Sequence, residues 1–207
     1  MTLSIIAAVA ANGVIGKDGK IPFYLPKDLE RFKCITKSSP VVMGHRTFNT
    51  FAGLLPDRIN IVMTKDQEFS AKGVLVVHSL AEMYETIALL KADEVFIIGG
   101  AKLYHDTIGR AERIYLTSVI QEYEGDTVFP AINQEEWDVL LVRYFNDHYF
   151  TILERKDTVH KIDLDMKHCS GEELQLGFDM IPKSVRYDPR SAEIIGAYDK
   201  YVPHGRR

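Results

Sequence analysis

IGKDGKIPFYLPKDLERF, residues 15–32, is the stretch on which the reading of this chain turns. It leaves an apolar run, crosses a loop containing Gly16 and Gly19, and enters a helix near Pro26, whose missing N–H costs nothing in a first helical turn. Asp28 falls in that turn, where the helix dipole favours an acid by about 0.3–1 kcal/mol. Phe32, four residues on, shares its face. Ile21, Phe23, Leu25 and Leu29 add large apolar side chains nearby. Two readings of Asp28 stay open on this window. It is a solvated helix-terminal acid, or it lines a pocket where desolvation and a ligand's charge act on it.

Working backward, residues 1–14 begin with an apolar run that lacks the positive flank of a signal peptide, and Asn12-Gly13 reads as a turn after a buried strand. No apolar run reaches the roughly 18–20 residues of a membrane span. The 207 residues are 46% hydrophobic and 26% charged with a net charge of −4, the balance of a globular chain. Lys and Arg are scattered, so neither nucleic acid nor a membrane is an expected partner. Cys34 and Cys169 form no disulfide framework or zinc spacing, and a reducing cytoplasm is the expected setting.

Working forward, strand-length apolar runs recur at 3–10, 41–43, 59–63, 74–77, 95–98 and 114–119. Most lack alternation, as strands buried on both faces do. Helical stretches at 27–36, 47–51, 80–91 and 101–108 lie between several of them. Residues 137–144 and 149–156 are joined by Phe145-Asn146-Asp147-His148, a link short enough only for an antiparallel hairpin. The predicted class is α/β, with a mixed, mostly parallel central sheet, an antiparallel edge hairpin and flanking helices.

Residues 1–157 form one predicted domain and residues 158–207 a small C-terminal appendage. The appendage holds eight Lys or Arg and eight Asp or Glu, so the whole −4 belongs to the first domain. A strand at 161–166, a capping box at 170–173 and a helix opened by Asp188-Pro189 are expected there. His160, Asp163, Asp165, His168 and Cys169 are not adopted as metal ligands, because alternation puts the two aspartates on a wet strand face. Packing against the body of the protein, or self-association through residues 158–207, is the expected use of this segment.

Two strand-to-helix junctions carry the clearest chemical signal. One strand breaks at Gly44 before His45, Arg46 and Thr47; another ends at Gly99-Gly100 before Ala101. Free N–H groups at helix starts, with glycine allowing close approach, suit a pyrophosphate. Neither junction is a GxGxxG fingerprint. The basic positions His45, Arg46, Lys65 and His78 follow successive strands and would favour a nucleotide carrying a 2′-phosphate.

The order IGKDGKIPFYLPKDLERFK, VVMGHRTFNTF, LPDRINIVMT, VFIIGGAKLY, IYLTSV and GDTVFP resembles dihydrofolate reductase over about residues 1–157. The resemblance implies NADPH-dependent reduction of 7,8-dihydrofolate to tetrahydrofolate, with hydride transfer to C6 and protonation at N5, and antifolates as inhibitors. It implies that Asp28 hydrogen-bonds the pterin 2-amino group and N3, with Thr117 supporting that acid. Ile6, Ala7, Phe23, Leu29, Phe32, Phe51 and Ile98 match the folate pocket, and Arg58 matches the arginine that grips the glutamate α-carboxylate. The NADPH site corresponds to Ala8, Ile15, Gly16, Ile21, Gly44, His45, Arg46, Thr47, Thr64, Lys65, His78, Gly99, Gly100, Ala101, Lys102, Leu103 and Tyr104. Residues 15–21 match the loop that closes over nicotinamide.

Three departures stand against this pattern. Phe23 occupies a position where tryptophan is usual, His45-Arg46 moves the phosphate-binding arginine along by one, and residues 158–207 extend past Lys156, near which a typical single-domain member ends. Two further readings remain: another reductase on the same fold, such as the pyrimidine reductase of riboflavin synthesis, or a reductase module retained for binding or assembly. Asp28 together with Arg58 speaks against the pyrimidine reductase, whose substrate has neither pterin nor glutamate.

Overall fold

A computed structural model describes residues 1–156 of the protein. The expected strand, capping box and helix beyond residue 160, and the appendage itself, lie outside the described residues. Among the described residues, eight strands form the main sheet in the order β5-β4-β3-β6-β1-β7-β10-β9. They are β1 (Thr2–Val9), β3 (Val41–Gly44), β4 (Asn60–Met63), β5 (Val74–Val77), β6 (Glu94–Ile97), β7 (Arg113–Val119), β9 (Trp137–Tyr144) and β10 (His148–Arg155). The first six of these pair in parallel, whereas β10 runs antiparallel to both β7 and β9. The mixed sheet with an antiparallel edge is as the sequence suggested.

The strands are apolar on both sides because both sides are covered. Alternate residues divide between two cores. Val42, Ile61, Val95 and Ile97 join Met83 and Ile87 of α3 (Leu80–Leu89) and Leu103 of α4 (Ala101–Thr107). Val41, Met43, Val62, Phe96 and Ile98 meet Phe32 and Ile35 of α1 (Pro26–Thr36) and Phe48 of α2 (His45–Phe48) on the other face. The second helix is thus shorter and earlier than the predicted 47–51, starting directly at the glycine break.

A second sheet was not foreseen. β2 (Val14–Gly16) pairs antiparallel with β8 (Thr127–Val128), and Lys17 and Lys20 exchange two backbone bonds of 2.9 Å across Asp18 and Gly19. Strands of three and two residues carry no readable period. Gly125 makes the pairing possible: a Cβ there would stand 2.3 Å from Val14 Cγ1 and 2.5 Å from the Gly16 carbonyl.

Connections leave β3 towards β4 and β6 towards β7, in opposite directions along the sheet. A crevice therefore opens between the carboxyl ends of β3 and β6, the position at which open α/β sheets bind ligands. Both glycine junctions lie there.

Candidate active site

Pro26 starts α1, and no side chain caps it, so Asp28 in the first turn meets the free N–H end of the helix. Its side chain is 20% exposed. Thr117 on β7 donates its hydroxyl to Asp28 Oδ1 at 2.5 Å, and Thr117 stands opposite Ala8 of β1 in register. The acid predicted from residues 15–32 and a threonine 89 residues away thus form one unit.

The apolar side chains predicted around Asp28 differ in exposure. Leu25 is buried, whereas Ile21 and Leu29 are 64% and 44% exposed. Ile6 and Ile98 belong to the same core as Phe32 and Phe51, which makes a continuous apolar wall on the α1 face. Ala7 alternates to the opposite face and packs with the α3 and α4 core. Phe23 sits edge-on to Tyr123, with ring centroids 5.3 Å apart.

Arg58 lies at the other end of α1. Its Nε donates to the Thr36 carbonyl at 3.2 Å and its Nη2 to the Lys33 carbonyl at 3.3 Å, while the guanidinium carbon stands 5.7 Å from the Phe32 ring. The last carbonyls of a helix are the natural seat of a cation. Asp28 and Arg58 are consequently placed at opposite ends of the same helix, with Phe32 between them.

At the crevice the glycines do separate jobs. Gly44 donates its N–H to the Gly99 carbonyl at 2.8 Å, joining the two junctions. Gly99 has φ of 129°, a left-handed value that disfavours a side chain, and the Gly99–Gly100 peptide is cis. A Cβ on Gly100 would stand 3.1 Å from Thr47 Oγ1 and one on Gly99 3.5 Å from the Tyr104 hydroxyl, so the floor is backbone faced by two hydroxyls. Such a cradle fits a pyrophosphate.

The remaining predicted cofactor residues divide between crevice and core. Ala101 and Lys102 open α4, with Lys102 paired to Asp106 at 2.7 Å. Leu103 is buried in the core, so its side chain faces away from the crevice. Tyr104 donates its hydroxyl to the Ile6 carbonyl at 2.8 Å, and burial pushes its phenol pKa well up, keeping it a neutral donor. His45 packs against Phe69 with ring centroids 4.1 Å apart, and Arg46 is exposed. Thr64 at the end of β4 is buried and its carbonyl accepts from His78 Nδ1 at 3.1 Å, while Lys65 is exposed beside it. Ile15 and Gly16 lie on β2.

One residue that the sequence reading passed over stands in the middle of the site. Arg31 donates from Nη1 to Asp28 Oδ1 at 2.9 Å and to Thr117 Oγ1 at 3.3 Å. Its spacing of three from Asp28 was a visible helical pair signal. Its tertiary partners were not visible.

The comparisons with known proteins agree with this geometry. The dihydrofolate reductase family model matches residues 2–155. The chain is 44% identical over 141 residues to dihydrofolate reductase type 3 of Salmonella typhimurium, covering 68% of this chain and 85% of that one. It is 38% identical over 163 residues to dihydrofolate reductase of Haemophilus influenzae, covering 75% of this chain and all of that one. Among solved structures it resembles dihydrofolate reductase from Enterococcus faecalis complexed with NADP(H) and RAB-propyl, with a TM-score of 0.69, 33% identity, and coverage of 75% of this chain and 97% of that one. With the acid on α1, the glycine crevice and this match across nearly all the described residues, the chain belongs to the dihydrofolate reductase family.

Proposed function

We propose that this chain reduces 7,8-dihydrofolate to 5,6,7,8-tetrahydrofolate with NADPH, and that Asp28 is the acid on which the reaction depends. The observation that carries the reading is the Asp28–Thr117 pair, set at a helix start beside the apolar wall of Ile6, Phe32, Phe51 and Ile98. A neutral pterin ring offers that wall a flat face, and its 2-amino group and N3 offer donors to a carboxylate. Arg58, at the far end of α1, would take the glutamate carboxylate.

NADPH supplies the hydride when bound. Gly44, Thr47, Gly99, Gly100 and the start of α4 from Ala101 would hold its pyrophosphate. Arg46, Thr64, Lys65 and His78 would meet the adenosine end, with the exposed cations favouring a 2′-phosphate. His45 and Tyr104 complete the floor, and Ile15, Gly16 and Ile21 would cover the nicotinamide and exclude water.

The pterin gains positive character as N5 takes a proton. A fixed anion in a site of low polarity stabilises that charge more in the transition state than in the ground state. Antifolates that mimic the pterin would compete for the same acid. The cytoplasm is the proposed compartment, supported by the exposed free thiol of Cys34.

Asp28→Asn keeps the shape of the side chain and removes its charge. Single-turnover hydride transfer from NADPH to dihydrofolate should slow by about 10²-fold or more at neutral pH, the order typical of one lost electrostatic group. Undiminished rates would return Asp28 to a helix-dipole role and remove the basis of this assignment.

A further inference from the structure

Arg31 occupies an unusual place for a cation. Its side chain is only 10% exposed, and its guanidinium carbon lies 4.5 Å from the ring centroids of both Phe145 and Phe150. Behind it, Nη2 meets His148 Nε2 at 3.3 Å. Arginine can only donate, so Nε2 must be the bare nitrogen and Nδ1 must carry the proton. Nδ1 accordingly donates to Asp147 Oδ1, 2.6 Å away. His148 is buried and its ring stacks on Phe145 at 4.5 Å. The hairpin turn therefore clamps Arg31 from three sides and aims Nη1 at Asp28.

The same geometry decides which oxygen of Asp28 is left for a ligand. Arg31 Nη1 and the Thr117 hydroxyl both donate to Oδ1. Oδ2 carries neither bond. The carboxylate is thus fixed in orientation, and its charge is partly offset from behind by a cation that cannot move without leaving two aromatic rings and an imidazole.

We propose that Arg31 is the internal counter-ion of Asp28, and that the pair makes this pocket select ligands that bind as neutral heterocycles over ligands that bind as cations. The inference rests on the reading of Asp28 as the pocket acid. A bare carboxylate attracts a protonated diaminopyrimidine both by accepting its hydrogen bonds and by its net charge. A paired carboxylate keeps the first attraction and only part of the second, because the nearby guanidinium offsets some of its pull on a cation. A neutral 2-amino-4-oxo ring needs only the acceptors, so the pair scarcely affects it.

The test compares a 2,4-diamino-5-benzylpyrimidine, which binds a carboxylate as a cation, with folate, whose ring binds neutral, by titration calorimetry in the presence of NADPH. In Arg31→Gln the benzylpyrimidine should bind about tenfold or more tightly, while folate changes by less than about threefold, a difference of roughly 1.4 kcal/mol per decade. Arg31→Met, which suits the two aromatic rings, should do the same, and Arg31→Lys should restore the wild-type preference. Parallel changes for both ligands, or an unchanged benzylpyrimidine, would overturn the proposal. Should both neutral variants fail to fold, nitrogen NMR of wild-type Arg31 decides. Slowed rotation of its Nη groups that is lost in Asp28→Asn supports the pair, and free rotation in the wild type refutes it. Asp28→Asn separates the two levels of argument: if it leaves both ligands bound as before, the pocket-acid reading itself fails, whereas loss of both with no response to Arg31→Gln sinks only the counter-ion.

Discussion

The N–H of Gly44, at the end of β3, donates to the carbonyl of Gly99, two residues past β6, over 2.8 Å. Two junctions that are 55 residues apart by number are in this way one feature, the floor of the crevice where the sheet's connections diverge.

The floor should respond unevenly to added methyl groups. A Cβ on Gly100 meets Thr47 Oγ1 at 3.1 Å and Gly99 has a left-handed φ of 129°, whereas a Cβ on Gly44 meets nothing nearer than 3.8 Å. Gly99→Ala and Gly100→Ala should each weaken NADPH by about tenfold or more, roughly 1.4 kcal/mol, and Gly44→Ala by much less. Fluorescence titration with NADPH, alongside thermal melts, checks this; equal losses at all three positions would contradict it.

Cofactor choice should depend on charge at the exposed positions following β3 and β4. Arg46→Ala is expected to weaken NADPH far more than NADH, because only the former carries a 2′-phosphate. Steady-state kinetics with both cofactors gives the answer, and indifference of the wild type to the phosphate would refute it.

Acid should loosen the hairpin turn. Burial pushes the His148 imidazole below its ordinary value, the Arg31 cation adds to the effect, and Asp147 opposes it. The unfolded chain therefore takes up a proton before the folded one does. His148 contributes stability that is present above about pH 6.5, its unfolded value, and lost as pH falls from there through the lower folded value. His148→Gln should flatten this part of the stability profile between about pH 7 and 5. Urea unfolding of both proteins across that range measures the difference.

Gly125 should be intolerant of any side chain. Its missing Cβ would overlap Val14 and the Gly16 carbonyl, and backbone cannot swing aside as a long side chain can. Gly125→Ala is expected to cost about 1–3 kcal/mol, or about 2–4 °C of melting temperature for each kcal/mol in a chain of this size. Wild-type melting behaviour would show that the β2–β8 pairing can slip.

How much of this was legible depends on the range over which each signal acts. The parallel strands could be read because both faces of the sheet are covered, leaving unbroken apolar runs such as those at 41–43 and 95–98. Pro26 and Asp28 announce the start of α1 by local rules. Thr117 came from the resemblance, since nothing local points a strand threonine at an acid 89 residues away. Arg31 was overlooked because its most telling partners, Phe145, His148 and Phe150, are supplied by the hairpin. Leu103 shows the reverse limit: a residue inside a binding motif can still spend its side chain on the core.

The Leu3 carbonyl accepts from Glu112 N–H at 2.8 Å, and the Glu112 carbonyl accepts from Arg155 N–H at 2.8 Å. The start of β1 and the finish of β10 thus lie two strand spacings apart, about 10 Å, at the end of the sheet opposite the crevice. A linker of a few residues could join them, so a circularly permuted version of residues 2–155 could be opened at a surface turn without disturbing the ligand side. Pulled apart at those same two points, β1 and β10 would peel from β7 one bond after another, and the molecule should yield at low force despite its eight-stranded sheet.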